Sequence, residues 1–592
     1  MSSHPVSLPE ILAIADEHRK AGRLEQADRL CRQILEVSPA HPDALHLHSL
    51  IAHDAGDQSK AIELTQRAID AKKEDPLLHC NLAEMCRRAG RLDDALAASQ
   101  QALALDSNSA KALNALGATL CALSRHHEAI PPLRRAIALA PDHITAHLNL
   151  GYALHALGRL TEALKMKNEA IRLDPENPDA FYNRGVILHM MGRLEEAEAD
   201  WKRTLALSPA HRDAQAQLIC NRGITLHRMG EFDEADAKWK DVITLRPAHA
   251  DAHTNLGISY LLRGDLPEGF SFYEWRWRRF GVVPPPQLTS PWDGENPADK
   301  RLLIHAEQGL GDTLQFCRYL PMLRERGASL VFTVQQPLRS LIASSMPWLE
   351  LGDGLPSSSN AQCRLLSLPH LLKTTLDTIP APIPYIHPPE QAIASMGKII
   401  GRGAELKVGL VWAGSPTHLF DKERSLTFAA LAPILSVENI RFFSLQIGAA
   451  AREAPTGATD LAPELTDFAQ TAGAIANLDL VITVDTSVAH LAGAMGKPVW
   501  IMLSFVPDWR WLLEREDSPW YPTARLFRQK AHGDWKPVIS DIAKGLASLA
   551  QGGAARRDIG LSRSEERPDN QALSERASLA SRARLPGGRP VN

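Results

Sequence analysis

The first half of the chain repeats one pattern of small, apolar and polar positions eight times. Small residues stand at Ala15, Ser49, Ala83, Gly117, Gly151, Gly185, Gly223 and Gly257, 34 residues apart except for one step of 38. Twelve positions after each come Ala27, Ala61, Ala95, Ala129, Ala163, Ala197, Ala235 and Gly269. Twelve further on stand Pro39, Pro141, Pro175, Pro209 and Pro247, with Lys73 and Ser107 as exceptions. The pattern predicts two antiparallel helices per unit. The small residues let the helices approach closely, and the proline stops the second, because it lacks an N–H and disfavours α for its predecessor. Gly90 and Gly192 mark helix C-termini. Pro131-Pro132 predicts a kink, and the four extra residues between Gly185 and Gly223 lengthen a helix or a loop. After residue 300 the pattern changes. Short apolar runs at 301–306, 330–334, 408–412, 441–445, 480–484, 499–503 and 525–527 predict strands. Helices are predicted from Gly309 to Gly327 and at 338–345, 428–435, 467–477 and 488–495. Strands alternating with helices imply parallel, doubly wound sheets.

Small, small, Pro at this period resembles the tetratricopeptide repeat. Such an array stacks into a solenoid whose concave face usually binds peptide. Two positions before the anchor stand Asn81, Asn149, Asn183, Asn221 and Asn255. The series resembles the asparagine ladder of eukaryotic O-linked N-acetylglucosamine transferases, which grips the backbone of a protein acceptor. An amide can both give and take hydrogen bonds with an extended main chain; it can equally bond within its own repeat. The aromatic, basic stretch Phe270 to Phe280 reads as a cap that packs the last repeat onto the next domain.

Composition narrows the function classes. The 592 residues are 44% hydrophobic and 23% charged, as in globular proteins. A net charge of −4 supplies no overall cationic field for a nucleic acid, so no nucleic-acid partner is expected. No run reaches the ~18 apolar residues of a membrane span. Met1–Glu10 has no leader pattern, and seven scattered cysteines read as reduced thiols, so the expected location is cytoplasmic. The expected organisation is an all-α repeat superhelix over 8–280 and a Pro-rich linker over 281–299. Two Rossmann-like α/β lobes then span 300–395 and 396–548, hinged near Pro380–Pro389, and a disordered tail covers 549–592.

Ligands in such sheets bind at the C-terminal ends of strands. Two loops there carry candidate chemistry. Gly309-Leu310-Gly311-Asp312 follows the first strand, and its glycines allow close backbone approach. Asp485-Thr486-Ser487-Val488-Ala489-His490 follows the strand 480–484, and its helix N-terminus suits a diphosphate. Asp and Thr are also ordinary N-caps.

Taken together over about 300–535, the G-L-G-D loop and the run from Asp485 to Pro498 resemble family 9 glycosyltransferases, the heptosyltransferase-like group with the GT-B fold. The resemblance implies that the first lobe binds an acceptor and the second a nucleotide-activated sugar. It implies that Asp312 is the general base, and that Gly309, Gly311, Asp485, Thr486, Ser487 and His490 surround the donor. It also implies a phosphate-binding cation in the loop 414–425, where Arg424 is favoured over Lys422. The chain has no D-x-D run, in keeping with the metal-independent GT-B reaction; no cofactor is expected beyond the nucleotide sugar as co-substrate. The expected function is sugar transfer to a protein or glycan, with the solenoid holding the acceptor or a partner protein. The alternative is a non-catalytic interaction scaffold whose transferase domain is degenerate.

Overall fold

The structure is a computed structural model and describes residues 7–279, 289–352, 359–380, 382–416, 418, 420–453 and 457–551. Pro284 to Pro286 of the expected linker, the interior of the loop 351–361 and the expected tail beyond 551 lie outside the described residues. The chain divides into two compact units. The first runs through Arg222, and the second joins Gly223–Trp277 to the α/β region.

In the first unit, six helix pairs follow one another, from Leu8–Lys20 with Leu24–Val37 to Pro178–Met190 with Leu194–Leu207. A volume match explains the anchors. A Cβ on Gly117 would collide with Leu133, one on Gly151 with Lys167 and one on Gly185 with Trp201, each sixteen residues on. Where the anchor is Ala15, Ser49 or Ala83, the sixteenth residue is Cys31, Thr65 or Ser99, all small and buried. Gly185→Ala would set its Cβ 2.5 Å from Trp201 Nε1. Overpacking of this kind costs ~1–3 kcal/mol, more than the ~1 kcal/mol gained in helix propensity. A lower melting temperature is expected, and Trp201→Leu in the same chain should restore part of it, because neighbouring changes are not additive. Pro131 and Pro132 lie inside the helix His126–Leu139. The turn after each first helix needs a left-handed residue; Gly supplies it at positions such as Gly90 (φ 75°), and Ser124 (φ 59°) takes the same place in the fourth repeat.

The second unit opens inside the helix Arg212–Arg228. This helix has 17 residues against 13 in the preceding repeat, so the extra four lengthen it by about one turn. Phe232–Leu245, Ala250–Leu262 and Leu266–Tyr273 complete eight helix pairs. Leu266, Phe270 and Tyr273 enter the same apolar core as Phe316, Trp509 and Trp520 of the α/β region. The aromatic cap therefore joins the last repeat to that region, and the two do not part near 281.

The α/β region holds two parallel sheets. The first contains β1 (Arg301–His305), β2 (Ser329–Thr333), β3 (Glu350–Leu351) and β4 (Ala361–Arg364), in the order β3-β2-β1-β4. The second contains β5 (Leu406–Val411), β6 (Ile440–Ser444), β7 (Ala458–Asp460), β8 (Leu480–Val484), β9 (Val499–Leu503) and β10 (Ala524–Arg528). Its order is β10-β9-β8-β5-β6-β7, the doubly wound arrangement. β8 and β9 are buried throughout, hence their unbroken apolar runs. The expected lobe junction at 395/396 falls inside the helix Glu390–Ile400. That helix packs tightly on Phe468–Ala476 of the second lobe: a Cβ on Gly473 would lie 2.5 Å from the Ala392 carbonyl. No helix among the described residues is long and apolar enough to cross a membrane.

Candidate functional site

Strand order reverses at β1/β4 in the first sheet and at β5/β8 in the second, and the loops leaving β1, β5 and β8 carry the sequence-derived candidates. Such switch points open the crevices in which α/β proteins bind ligands.

From β1 the chain passes Gln308, at φ 58°, into the helix Leu310–Phe316. The Gly309 N–H donates to Asp312 Oδ2 at 2.7 Å. Gly311 is where this helix presses on the second lobe: a Cβ there would lie 2.8 Å from His490 Cδ2 and 3.4 Å from Ser487 Cα. Asp312 is half-buried, and burial raises its carboxyl above the usual range against the pull of Arg510.

From β8 the chain turns through Asp485 and Thr486 into the helix Ser487–Ala494. Thr486 Oγ1 bonds Thr483 Oγ1 at 3.0 Å. Asp485, Thr486 and Ser487 remain partly open at the strand end, whereas His490 is buried. The His490 Nδ1 meets the Tyr521 hydroxyl at 3.0 Å, and its ring stacks on Trp511 with centroids 5.2 Å apart. Burial lowers His490 to about 3, so it is neutral. Burial and the neighbouring Asp508 raise the Asp485 carboxyl above the usual range, opposed by Arg424.

From β5 comes the loop that closes the cluster; its Thr417 and Leu419 lie outside the described residues. Arg424 donates to the Asp485 carbonyl at 3.1 Å and pairs with Asp421 at 3.2 Å. Gly414 has no room for a Cβ, which would lie 2.6 Å from the Arg424 guanidinium. Lys422 is exposed. Arg424 thus stands beside the helix start at Thr486–Ser487.

Two functional candidates were missed in the sequence. Asp508 and Arg510 lie in the loop after β9, around the short turn Trp509–Trp511. Arg510 pairs with Asp312 of the other lobe and, at 2.8 Å, with Asp508. Their signal was positional: Asp508-Trp509-Arg510-Trp511 sits just past the C-terminal end of a parallel strand. The site therefore holds four carboxylates (Asp312, Asp421, Asp485, Asp508) and two guanidinium groups. Among the described residues, no three His, Cys, Asp or Glu side chains form a metal-holding group.

The asparagine series is engaged along the array. The Asn81 amide meets His46 Nε2 at 2.6 Å, and Asn149 donates to Asn114 Oδ1 at 2.9 Å, in each case one repeat back. Asn183 donates to the Asp179 carbonyl at 2.6 Å and Asn221 to Glu198 at 3.5 Å. Asn255 lies half-buried on its helix.

Residues 12–76, 76–142, 151–192, 178–211 and 220–274 match tetratricopeptide repeat families, and residues 426–502 match glycosyltransferase family 9 (heptosyltransferase). Protein FlbA of Caulobacter vibrioides is 26% identical over 337 residues, 49% of this chain and 54% of that one. The match thus spans about half the length of that curated relative. Among solved structures, the Cut9–Hcn1 hetero-tetramer of the APC/C is similar at 18% identity, 46% of this chain and 53% of that one, with a TM-score of 0.37. TTC0263, a thermophilic TPR protein of Thermus thermophilus, is similar at 21% identity, 31% and 98% coverage and a TM-score of 0.29.

Proposed function

We propose, for a chain that joins tetratricopeptide repeats to a glycosyltransferase family 9 segment, that the α/β region moves a sugar from a nucleotide diphosphate to a protein or glycan acceptor. The repeat array holds that acceptor or a partner protein. One observation carries the reading: the Arg424 guanidinium lies on the Asp485 carbonyl beside the helix start at Thr486–Ser487. Free N–H groups and a cation then converge at the β5/β8 switch point, the chemistry a diphosphate requires.

In the reaction an acceptor hydroxyl oxygen bonds to the anomeric carbon while the bond from that carbon to the diphosphate oxygen breaks. Asp312, in the first lobe, takes the hydroxyl proton. The diphosphate leaves with the bonding electrons, and Arg424 and the helix start stabilise its growing charge. Gly309 holds Asp312 through its N–H. His490, neutral and buried against Gly311, keeps the two loops in register and supplies no charge.

The test is a melting-temperature screen of the full chain with UDP-, GDP-, CDP- and ADP-sugars. A bound donor at 100 times its Kd adds ~2.7 kcal/mol of apparent stability. At least one nucleotide class should raise the melting temperature. No shift with any of them favours the scaffold reading.

A further inference from the structure

We infer that Arg510 is a positioning residue that fixes the Asp312 carboxylate across the junction of the two lobes, an inference that rests on reading Asp312 as the proton acceptor. Arg510 is 7% exposed. Each arm of its guanidinium has an acceptor: Nε donates to Gln315 Oε1 at 2.7 Å, one terminal nitrogen to Asp508 Oδ1 at 2.8 Å and the other to Asp312 Oδ1. Its Cζ lies 4.3 Å from the Trp509 ring centroid and 5.8 Å from that of Phe316. An arginine with every arm occupied and rings beside it is poorly placed to take a diphosphate oxygen as well. Its role is therefore on Asp312, and the donor cation is Arg424.

The arrangement joins separate parts of the fold. Asp312 and Gln315 belong to the helix after β1, whereas Asp508 and Arg510 belong to the loop after β9. Trp509 in turn packs edge-on against Phe270 of the last repeat at 5.5 Å and lies 6.4 Å from Tyr273. Tyr273 bonds Gln308 at 3.2 Å, just before the Asp312 helix. The last repeat thus braces both loops that meet at Asp312. The charged and titratable groups around Asp312 are Arg510 and Asp508 from the β9 loop, His418 from the β5 loop, Tyr273 from the repeat and, against the adjacent Gly311, the neutral His490 of the helix after β8. Burial works to protonate Asp312 and Arg510 opposes it. Removing Arg510 should raise the pH at which Asp312 ionises.

The experiment measures, from pH 4 to 9, the change in melting temperature that Asp312→Asn makes in the wild-type chain and in an Arg510→Gln chain. This cycle needs no substrate. The pH at which the difference titrates should move up by about one unit or more with Arg510→Gln, and Arg510→Lys should recover part of the shift. In parallel, donor hydrolysis is followed against pH with whichever nucleotide sugar the screen finds. The acid limb should move upward by the same amount, with KM for the donor within about threefold of wild type. An Arg510→Gln chain that melts lower but leaves the titration of the Asp312→Asn difference unmoved overturns the inference and makes Arg510 a packing residue. A raised donor KM with an unmoved acid limb also overturns it and makes Arg510 a donor ligand. A wild-type chain that binds no nucleotide sugar refutes sugar transfer, while the thermal cycle still decides whether Arg510 controls Asp312.

Discussion

Asp312→Asn should lower sugar transfer by ~10²–10⁴-fold, the usual contribution of a general base, with donor binding nearly unchanged. Asn keeps the size of Asp, and its amide oxygen can still accept from one of the two donors that Asp312 serves, Gly309 N–H and Arg510. It cannot accept both, nor can it take a proton from an acceptor hydroxyl. The proposed donor side, Arg424 and the helix start at Thr486, lies on the other lobe and is untouched. The change should therefore fall on kcat, with KM for the nucleotide sugar within a few-fold. A melting curve separates this from unfolding, because Arg510 keeps Asp508 and Gln315. Equal rates for the variant and the wild type would remove Asp312 as the base.

Arg276→Met should be among the most destabilising substitutions in the protein. Arg276 is 4% exposed and ends the last repeat. It pairs with Glu307 at 3.0 Å and Glu274 at 2.6 Å and donates to Ser367 Oγ at 2.9 Å. Glu307, itself buried just after β1, also accepts the Leu366 N–H at 2.9 Å. Breaking a buried pair by removing one partner costs ~3–5 kcal/mol, because the other charge is stranded. The pH dependence identifies the cause. Burial raises the Glu307 pKa and Arg276 holds it down, so without Arg276 the folded-state value rises further. A carboxyl whose folded pKa lies above its unfolded value destabilises the fold above that folded pKa, and the loss fades as pH falls and the group protonates. The deficit should thus be largest at neutral pH and above, and smaller toward the acid range of an ordinary Glu, ~4.3. Glu307→Gln added to Arg276→Met should recover part of the loss. Denaturant melts across pH check both statements; a deficit that does not change with pH would assign the effect to packing alone. The same bolt explains why a fragment cut near the expected linker should fold poorly: it would expose Phe316 and Trp509, which Phe270 covers.

Much of this architecture was legible because it is local or periodic. The 34-residue anchors, the turn glycines and the unbroken apolar runs of β8 and β9 each announce themselves within a few residues. β3 and β7, two and three residues long, carry too little pattern to be read. β4 (Ala361–Arg364) mixes polar and apolar residues, although three of its four are buried. The pairing of each anchor with its sixteenth residue was also present in the sequence, but it means nothing until the two helices are known to touch. At the site, the loops at Gly309–Asp312 and Asp485–His490 were legible as motifs. Arg510 was not, since its partner Asp312 lies 198 residues away and nothing near Arg510 encodes the pairing. The lobe junction was misplaced because the helix Glu390–Ile400 packs on a helix some 75 residues later.

The central claim is that the β5/β8 switch point holds a nucleotide diphosphate through Arg424. Titration calorimetry of UDP, GDP, CDP and ADP into the full chain and into its Arg424→Ala variant tests it most directly. At least one nucleotide should bind the wild-type chain, and the variant should bind it at least tenfold more weakly, with its melting temperature in the absence of nucleotide little changed. Equal affinity in the two chains, or no binding to either, would contradict the claim.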